Sequence, residues 1–403
     1  MPTFDAHVHL RQLGHLAELV TPHISKGGIN TVYVMPNTIP PITTTDQALN
    51  YQSQLKSLSP QTEFLMSLYL TSNLTIQELQ KAKKAGIIGV KSYPKGVTTN
   101  SNEGIIESYE TYYEIFSTME NLGLILNLHG EVPSNPSDGT CVMNAESRFL
   151  PQLVKLHKKF PNLKIVLEHA TTRSAIEVVK NCGPTIGCSI TPHHLTLIVD
   201  DWAGNNLNFC KPVAKFQDDR EALREVIREG HPRFFLGSDS APHPINFKLP
   251  LLNQNHQDDN NIFFTGHCSP GIYTSAYLLP ILATIFESAL PPPPPNFNNN
   301  NDEEQEERII TSPIPLERLK DFISKFGRSF YGLNNSSQNF NNNNQQQQLL
   351  EKKKKNVRLI KTSDQEPFSI IPYKLQSLDN NDSQVVIPFW AGRKLSWKID
   401  TTT

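Results

Sequence analysis

Short apolar runs alternate with longer, mostly amphipathic segments along the first 290 residues of the 403-residue chain. The short runs are rich in Val, Ile, Leu and Phe, which are typical of strands. They predict eight β-strands, at residues 4–9, 31–35, 64–70, 87–93, 124–129, 165–169, 185–190 and 234–237. The segments between them predict helices, among them 75–85, 105–122, 145–160, 173–182 and 218–229.

Strands that alternate with helices indicate parallel strands joined by helical crossovers, and hence an α/β fold. An open doubly wound sheet and a closed (β/α)8 TIM barrel both satisfy the alternation, and eight strands favour the barrel. Nearly every predicted strand ends in a polar residue: His7, His9, Asn37, Lys91, His129, His169, His193, His194 or Asp239. In a barrel the C-terminal strand ends meet at one mouth, where such enzymes carry their chemistry. We therefore predict a TIM barrel.

Composition changes near residue 290, and this change sets the predicted domain organisation. A proline run at 291–295 is followed by Asn and acidic residues, and a later tract is rich in Asn, Gln and Lys. Such segments have little apolar surface to bury, so both are predicted to be low-complexity, disordered insertions. We expect a barrel core at 1–290, insertions at 291–308 and 334–356, a helical part of the barrel domain at 309–333, and a tail packed on the barrel at 357–403.

Charge and composition exclude several classes of function. A net charge of -2 provides no basic surface for nucleic acid. The most apolar stretch, 278–286, contains a proline and is far shorter than the ~20 residues that span a bilayer, so we expect no membrane association. The N-terminus lacks the basic flank and apolar run of a secretory signal. Five scattered cysteines form no disulfide framework, which favours a reducing, cytoplasmic location.

His7 and His9 are separated by one residue on the first predicted strand, so the two-residue period places both imidazoles on one face. His129, His169 and Asp239 join them at the ends of other strands. Four imidazoles and a carboxylate suit a borderline divalent ion, with zinc the first choice. The alternative is that these are five unrelated polar residues at loop starts.

Lys91 ends the fourth predicted strand inside the same mouth. An ammonium group there would be repelled by metal ions and has no lone pair to donate. Two interpretations stay open from the residues alone: Lys91 lies outside the site, or its amine is chemically changed. Carbamylation by carbon dioxide would produce an anionic group whose two oxygens can bridge two metal ions.

Seven motifs occur together and in the order found in a known family. They are Asp5-Ala-His-Val-His-Leu-Arg11, Met35-Pro-Asn37, Lys91-Ser-Tyr-Pro94 with Thr98-Thr-Asn100-Ser101, Leu128-His-Gly-Glu131, Glu168-His-Ala-Thr-Thr172, Thr191-Pro-His-His194 and Gly237-Ser-Asp-Ser-Ala-Pro-His243. Together they resemble the dihydroorotase family of the amidohydrolase superfamily, and in particular the shorter stand-alone enzymes of bacteria and fungi. The resemblance runs to about Tyr277 and resumes at 326–332 and 387–392.

The resemblance implies a zinc-dependent hydrolase of cyclic amides. The implied ligands of two zinc ions are His7, His9, Lys91 and Asp239 for the first ion, and His129, His169 and Lys91 for the second. Lys91 would be N6-carboxylysine and would bridge the ions. A water between them, deprotonated at neutral pH, would be the nucleophile, and Asp239 the general acid and base. The implied reaction is the reversible cyclisation of N-carbamoyl-L-aspartate to L-dihydroorotate in pyrimidine biosynthesis.

The implied small-molecule substrate carries a carboxylate, for which the planar guanidinium of Arg11 offers a bidentate fork. Asn37 and His243 match family positions that assist in substrate binding. Each also has a simpler interpretation: a surface Arg, an Asn in a Pro-Asn turn and a loop His. The turn is the strongest of these alternatives, since Met-Pro-Asn-Thr is turn-like.

Four further substrate contacts are expected from a weaker match. Thr98 and Thr99 fall in a loop that closes over the substrate in relatives. Lys211, in a Cys-Lys-Pro segment, stands where the family usually has an apolar residue, although a backbone contact would survive this departure. Pro270 precedes a glycine where the family has a small residue, and proline has no N–H to donate.

Alternative functions remain open at this point. Hydantoinases and allantoinases share the metal ligands, but Arg11, Asn37 and the pair Thr98–Thr99 favour dihydroorotase. A non-catalytic scaffold would lack at least one ligand, and all six are present. Relatives of this type are commonly homodimers, so a homodimer is the expected assembly.

His193 and His194 are two further imidazoles near the end of a strand. Adjacent residues on a strand point to opposite sides, so both cannot bind one ion. We expect them to support the loop after the seventh strand.

Overall fold

The computed structural model describes residues 2–14, 16–105, 108–249, 268–288, 313–333, 357–362, 369–371, 374–376 and 385–400. Within these residues, eight parallel strands follow one another in sequence order and form a nearly closed barrel. The strands are β1 (Phe4–Val8), β2 (Thr31–Val34), β3 (Glu63–Tyr69), β4 (Gly89–Ser92), β5 (Ile125–His129), β6 (Ile165–Glu168), β7 (Ile186–Ile190) and β8 (Phe234–Leu236). The predicted TIM barrel is confirmed, and every predicted strand is present with ends that differ by at most two residues.

The first and last strands approach each other at the mouth of the barrel. Val8 forms a parallel bridge with Ser240, just beyond β8. The His9 N–H donates to the Ser240 carbonyl at 3.1 Å, and the Asp239 N–H donates to the His7 carbonyl at 2.9 Å. These bonds hold the end of β1 against the segment after β8, and so bring His7, His9 and Asp239 together.

Helices follow the strands and cover the outside of the barrel. They are α1 (Ala17–Val20), α2 (His23–Lys26), α3 (Thr45–Leu58), α4 (Ile76–Lys84), α5 (Tyr113–Leu122), α6 (Ala145–Lys159), α7 (Arg173–Asn181), α8 (Val199–Trp202), α9 (Gln217–Glu229), α10 (Ile245–Lys248), α11 (Leu278–Glu287), α12 (Glu317–Lys320) and α13 (Phe326–Phe330). A π-helical segment, Asp321–Lys325, joins α12 to α13, and short 3-10 turns lie at Tyr109–Tyr112, Asn206–Asn208 and Ser275–Tyr277. No helix in these ranges combines the length and apolar character needed to cross a bilayer.

One predicted helix, 105–122, begins later than expected. The Ile105 N–H donates to the Tyr93 carbonyl at 2.8 Å, and the Ile105 carbonyl accepts from the Lys95 N–H at 3.0 Å. These bonds hold Ile105 in the loop after β4, and among the described residues of this segment helical structure begins at Tyr109.

Helix α3 was not among the helices named from the sequence, although a helix was expected after each strand. Its signal was the capping box at its start: Thr44 accepts from the Gln47 N–H, and the Gln47 side chain accepts from the Thr44 N–H.

Two apolar clusters hold the barrel. The larger cluster lies between strands and surrounding helices. The smaller contains Phe4, Tyr33 and Phe235 from three strands, packed against Phe330 and Tyr331 at the end of α13. Segment 313–333 therefore contributes directly to the core of the barrel domain.

The described parts of the tail form three antiparallel strand pairs. They join β9 (Leu359–Lys361) to β14 (Trp397–Ile399), β10 (Ser369–Ile370) to β13 (Lys394–Leu395), and β11 (Leu375–Gln376) to β12 (Val385–Val386). The Phe389 N–H donates to the Tyr273 carbonyl at 2.7 Å, which fastens the tail near the mouth. The insertions expected at 291–308 and 334–356 lie outside the described residues, so the proposed domain boundaries stay predictions.

Candidate metal centre and substrate edge

His7, His9 and Asp239 converge on one point at the mouth of the barrel. The Nε2 atoms of His7 and His9 are 3.1 Å apart. Oδ1 of Asp239 lies 3.3 Å from the first of these nitrogens and 3.1 Å from the second. All three side chains are buried. Three of the four predicted ligands of the first metal ion are therefore adjacent in space.

Partners on the other side of each ring determine which nitrogen faces this point. Nδ1 of His7 lies 3.0 Å from Oε2 of Glu168. Nδ1 of His9 lies 2.9 Å from Oδ1 of Asn37, whose amide nitrogen donates to the Thr99 carbonyl at 2.9 Å. The Asn37 acceptor at Nδ1 of His9 leaves its Nε2 lone pair facing the cluster, the arrangement of histidines that bind a cation. Nδ1 of His7 lies beside Glu168 without the geometry of a hydrogen bond.

The imidazoles of the cluster are held neutral. Burial lowers the pKa of His9 to about 3, and burial followed by the charge of Lys91 lowers the pKa of His7. Burial would raise the pKa of Asp239, but His7 and His9 hold it well below its usual range. Neutral imidazoles and an ionised carboxylate are the forms that bind a divalent cation. The residues of this cluster fit a metal ion.

His129 and His169 form the second half of the predicted ligand set. Their ring centroids are 4.7 Å apart, and the His7 and His169 centroids are 5.1 Å apart. Nε2 of His129 lies 2.7 Å from Oε2 of Glu131, which leaves Nδ1 as its ligand atom. The buried Nδ1 of His169 has no hydrogen-bond partner among the described residues. An unpaired buried nitrogen costs free energy unless a ligand satisfies it, so this half of the set also fits a cation.

Lys91 is fully buried beside the candidate ligands. Its amine contacts the carboxylate of Glu168 and lies 4.9 Å from the centre of the Tyr93 ring. Burial lowers the pKa of Lys91 well below its ordinary value. After burial, the charge of Lys91 also lowers the pKa of His7. Burial and then His129 lower the pKa of His169, and Lys91 adds to that effect. Lys91 is thus close to both halves of the ligand set.

Glu168 is a site residue to which sequence reasoning assigned no role. Besides contacting His7 and Lys91, it accepts a hydrogen bond from Asn127 Nδ2 at 2.9 Å, and the same amide donates to the Tyr331 hydroxyl at 2.7 Å. The available signal was its position at the end of β6, directly before His169. Glu168 orients candidate ligands from behind, as carboxylates commonly do around metal-binding histidines.

The expected substrate residues form one edge of the mouth. Arg11 Nε donates to the Pro242 carbonyl at 2.8 Å, and its Nη2 lies 2.9 Å from Nε2 of His243. The Nε2 atom of His243 also lies 3.0 Å from the Pro270 carbonyl. This carbonyl accepts from the Thr99 hydroxyl at 3.3 Å. A neutral Nε2 can accept from Arg11 or donate to Pro270, but not both, so His243 can exchange partners. We call Arg11, Asn37, Thr99, His243 and Pro270 the substrate edge.

Two expected substrate residues are not brought into these contacts. Among the described residues, the half-buried side chain of Lys211 makes no hydrogen bond or ion pair. Thr98 bonds only within its loop, its N–H donating to Ser101 Oγ at 3.0 Å and its carbonyl accepting from the same hydroxyl at 2.6 Å. Pro270 is placed at the edge as an acceptor, through its carbonyl, rather than as a donor.

Several site residues have left-handed backbone conformations, which non-glycine residues seldom adopt. The φ angles are 62° for Arg11, 44° for His169 and 44° for Asp239. Such conformations cost about 1–3 kcal/mol each and concentrate at functional sites. Here they turn the side chains of strand-end residues toward the mouth.

His193 and His194 lie in a turn after β7, so the reasoning from strand alternation does not apply to them. Their ring centroids are 4.5 Å apart, and their ligand atoms lie within 4.8 Å of the Cys210 sulfur. However, Nδ1 of His194 lies 2.9 Å from Thr191 Oγ1 and its Nε2 lies 3.0 Å from the Pro212 carbonyl. With both nitrogens engaged, His194 connects the loop after β7 to the segment at 210–212.

The chain is similar to known proteins over nearly its whole length, although no family model matches it. A dihydroorotase of Mycosarcoma maydis is 47% identical over 98% of this chain and 96% of its own. The solved dihydroorotase of Saccharomyces cerevisiae, in complex with 5-fluoroorotic acid, has a TM-score of 0.78 and 38% identity, covering 99% of this chain and 97% of its own.

An L-hydantoinase of Arthrobacter aurescens has a TM-score of 0.63 at 20% identity, covering 82% of this chain and 71% of its own, and so shows the fold alone. The similarity to dihydroorotases is of a different kind, because identities of 38–47% extend over 98–99% of this chain. The chain belongs to the dihydroorotase family.

Proposed function

We propose that this protein catalyses the reversible cyclisation of N-carbamoyl-L-aspartate to L-dihydroorotate. One observation supports this reaction above the others: a buried arginine, Arg11, lies beside the ligand cluster and is held by His243. Hydantoins and allantoin have no carboxylate for a guanidinium to bind, whereas dihydroorotate has one. The relative from yeast was solved with 5-fluoroorotic acid, a ring that also carries a carboxylate.

We propose two zinc ions for the metal centre. His7, His9, Asp239 and Lys91 would hold one, and His129, His169 and Lys91 the other. Lys91 would be carbamylated, since an unmodified amine buried among ligands offers no pair of oxygens to bridge two ions. When bound, zinc would generate a nucleophile at neutral pH and polarise the amide carbonyl.

The chain's own residues would bind the substrate and move protons. Arg11 would bind the carboxylate through its two-nitrogen fork, and His243 would turn its Nε2 proton to the Pro270 carbonyl when the substrate occupies the guanidinium. Asn37 would hold the His9 ring and the Thr99 backbone in place. In ring opening, the Asp239 carboxylate would take one proton from the attacking water and pass it to the ring nitrogen as the carbon–nitrogen bond breaks. Cyclisation is the same transfer in reverse.

The test is an assay of the purified protein with bound metals measured by mass spectrometry. We expect interconversion of N-carbamoyl-L-aspartate and L-dihydroorotate in both directions, and about two zinc ions per chain. Hydantoin and allantoin serve as competing substrates. Faster turnover of either than of dihydroorotate would overturn the proposal in favour of a hydantoinase or allantoinase.

We further propose a cytoplasmic location and a homodimer. All five cysteines are unpaired, as is typical of proteins from a reducing compartment. Size-exclusion chromatography with light scattering would measure the mass of the assembly. A monomer at working concentration would contradict the proposed homodimer.

A further inference from the structure

Lys248, at the end of α10, is a buried lysine that binds three backbone carbonyls. Its ammonium nitrogen lies 2.8 Å from the carbonyl of Phe209, 3.1 Å from that of Ser269 and 3.0 Å from that of Gly271. The side chain is 5% exposed. An ammonium group has three protons, so these carbonyls satisfy it completely.

The three carbonyls belong to two segments beside the substrate edge. Ser269 and Gly271 flank Pro270, whose own carbonyl accepts from Thr99 and faces His243. Phe209 directly precedes the 210–212 segment. The Gly271 N–H also donates to the Phe209 carbonyl at 3.0 Å. Lys248 therefore joins residues 269–271 to Phe209 beside the substrate edge.

The space between Gly271 and His243 shows how closely this segment is placed. A Cβ atom on Gly271 would lie 2.5 Å from the Ala241 carbonyl and 2.9 Å from Cδ2 of His243. The backbone of the segment thus lies directly against the imidazole. A small shift of residues 269–271 would move the Pro270 carbonyl away from His243. It would therefore change whether the His243 Nε2 donates to Pro270 or accepts from Arg11.

We infer that Lys248 is a positioning residue for substrate binding, which acts by holding the Pro270 carbonyl against His243 and Thr99. The inference rests on the proposed role of the substrate edge. Lys248 does not contact the metal ligands in the described part of the chain, so its contribution falls on recognition of the carboxylate. Methionine has a thioether side chain of similar length but no N–H. Lys248→Met would therefore leave the three carbonyls without their shared donor.

The experiment compares Lys248→Met with the intact protein and with Lys164→Met. Lys164 is the control, because its amine also donates to a backbone carbonyl, that of Phe330 at 2.7 Å, but from an exposed residue just before β6 rather than at the mouth. For Lys248→Met we expect the KM for dihydroorotate to rise about tenfold or more, since hydrogen bonds from a charged group are lost. We expect kcat to change less than threefold, zinc content to stay unchanged, and the control to keep its KM.

A purely structural role would lower the melting temperature in both variants without raising the KM in either. A KM for Lys248→Met within twofold of the intact protein would overturn the inference. If Lys248→Met is insoluble, Lys248→Gln replaces it, because its amide retains two of the three donors and should give a smaller rise in KM. No rise in that variant would equally overturn the inference.

A parallel measurement on Arg11→Lys separates this inference from the proposed function. If Arg11→Lys raises the KM and Lys248→Met does not, the substrate edge holds and the positioning role fails. If neither variant changes the KM, the substrate edge itself is wrong.

Discussion

Asn37 and His9 are joined by a 2.9 Å contact between Oδ1 and Nδ1. The contact connects the proposed metal centre to the proposed substrate edge. His9 belongs to the ligand cluster, while the Asn37 amide nitrogen holds the Thr99 carbonyl in the loop beside the substrate edge. The Asn100 amide donates back to the Asn37 carbonyl at 2.9 Å, so the loop is bound to this asparagine twice. One side chain therefore contacts both a proposed metal ligand and the loop beside the proposed substrate edge.

Replacing Asn37 should disturb both functions at once. In Asn37→Ala the His9 ring loses the acceptor that orients it, and outer partners of metal-binding histidines typically contribute 10–100-fold in affinity or activity. We expect about that loss in zinc affinity, together with a higher KM. Zinc titration by competition with a chelator checks the first effect. A normal zinc affinity would show that Asn37 does not orient His9.

Asp239→Asn should abolish turnover while the fold is retained. The amide fills the same space between His7 and His9 but cannot accept the proton of the attacking water. Circular dichroism and melting temperature should match those of the intact protein. Retention of more than about a tenth of the activity, a barrier change under ~1.4 kcal/mol, would refute the role of general acid and base.

Lys91→Ala should lose both activity and bound metal. The side chain lies close to both halves of the ligand set, so its removal takes away the proposed bridge. Short carboxylic acids in the buffer should restore part of the activity, because they supply the two missing oxygens. A variant that keeps its full metal content without added acid would show that Lys91 does not bridge. Mass measurement of the intact protein, with a gain of one carbon dioxide, tests the carbamate directly.

Arg11→Lys should weaken dihydroorotate specifically. A point ammonium cannot reproduce the bidentate fork, and a charge-assisted pair contributes ~1.5–3 kcal/mol. We expect kcat/KM for dihydroorotate to fall roughly ten- to a hundredfold. Slow hydrolysis of dihydrouracil, which lacks the carboxylate, should hardly change. Equal losses on the two substrates would mean that Arg11 supports the metal centre, and would favour a hydantoinase.

The barrel could be predicted from the sequence because its determinants are local. Each apolar run has the composition of a buried strand, and alternation with helices restricts such strands to a parallel arrangement. Eight of them with polar ends left the closed barrel as the best solution. The same reasoning identified His7, His9, Lys91, His129 and Asp239, since strand ends of a barrel meet at one mouth.

Helix limits were less predictable, because they depend on hydrogen bonds to distant residues. Residues 105–108 have helical composition, yet Ile105 pairs with Tyr93 instead. Pairing between segments can override helix propensity, which contributes less than about 1 kcal/mol per residue.

Only the tertiary structure decided how the candidate residues act together. Glu168 lies in one of the sequence motifs, but its contact with Asn127, 41 residues earlier, follows only from the pairing of β5 with β6. Lys248 has an unremarkable sequence context, and its importance follows from three carbonyls that the chain brings to one point. The sequence by itself determined which chemical groups reach the mouth, because strand position is encoded locally. The contacts that orient those groups depend on packing between segments up to hundreds of residues apart, and no local pattern specifies them.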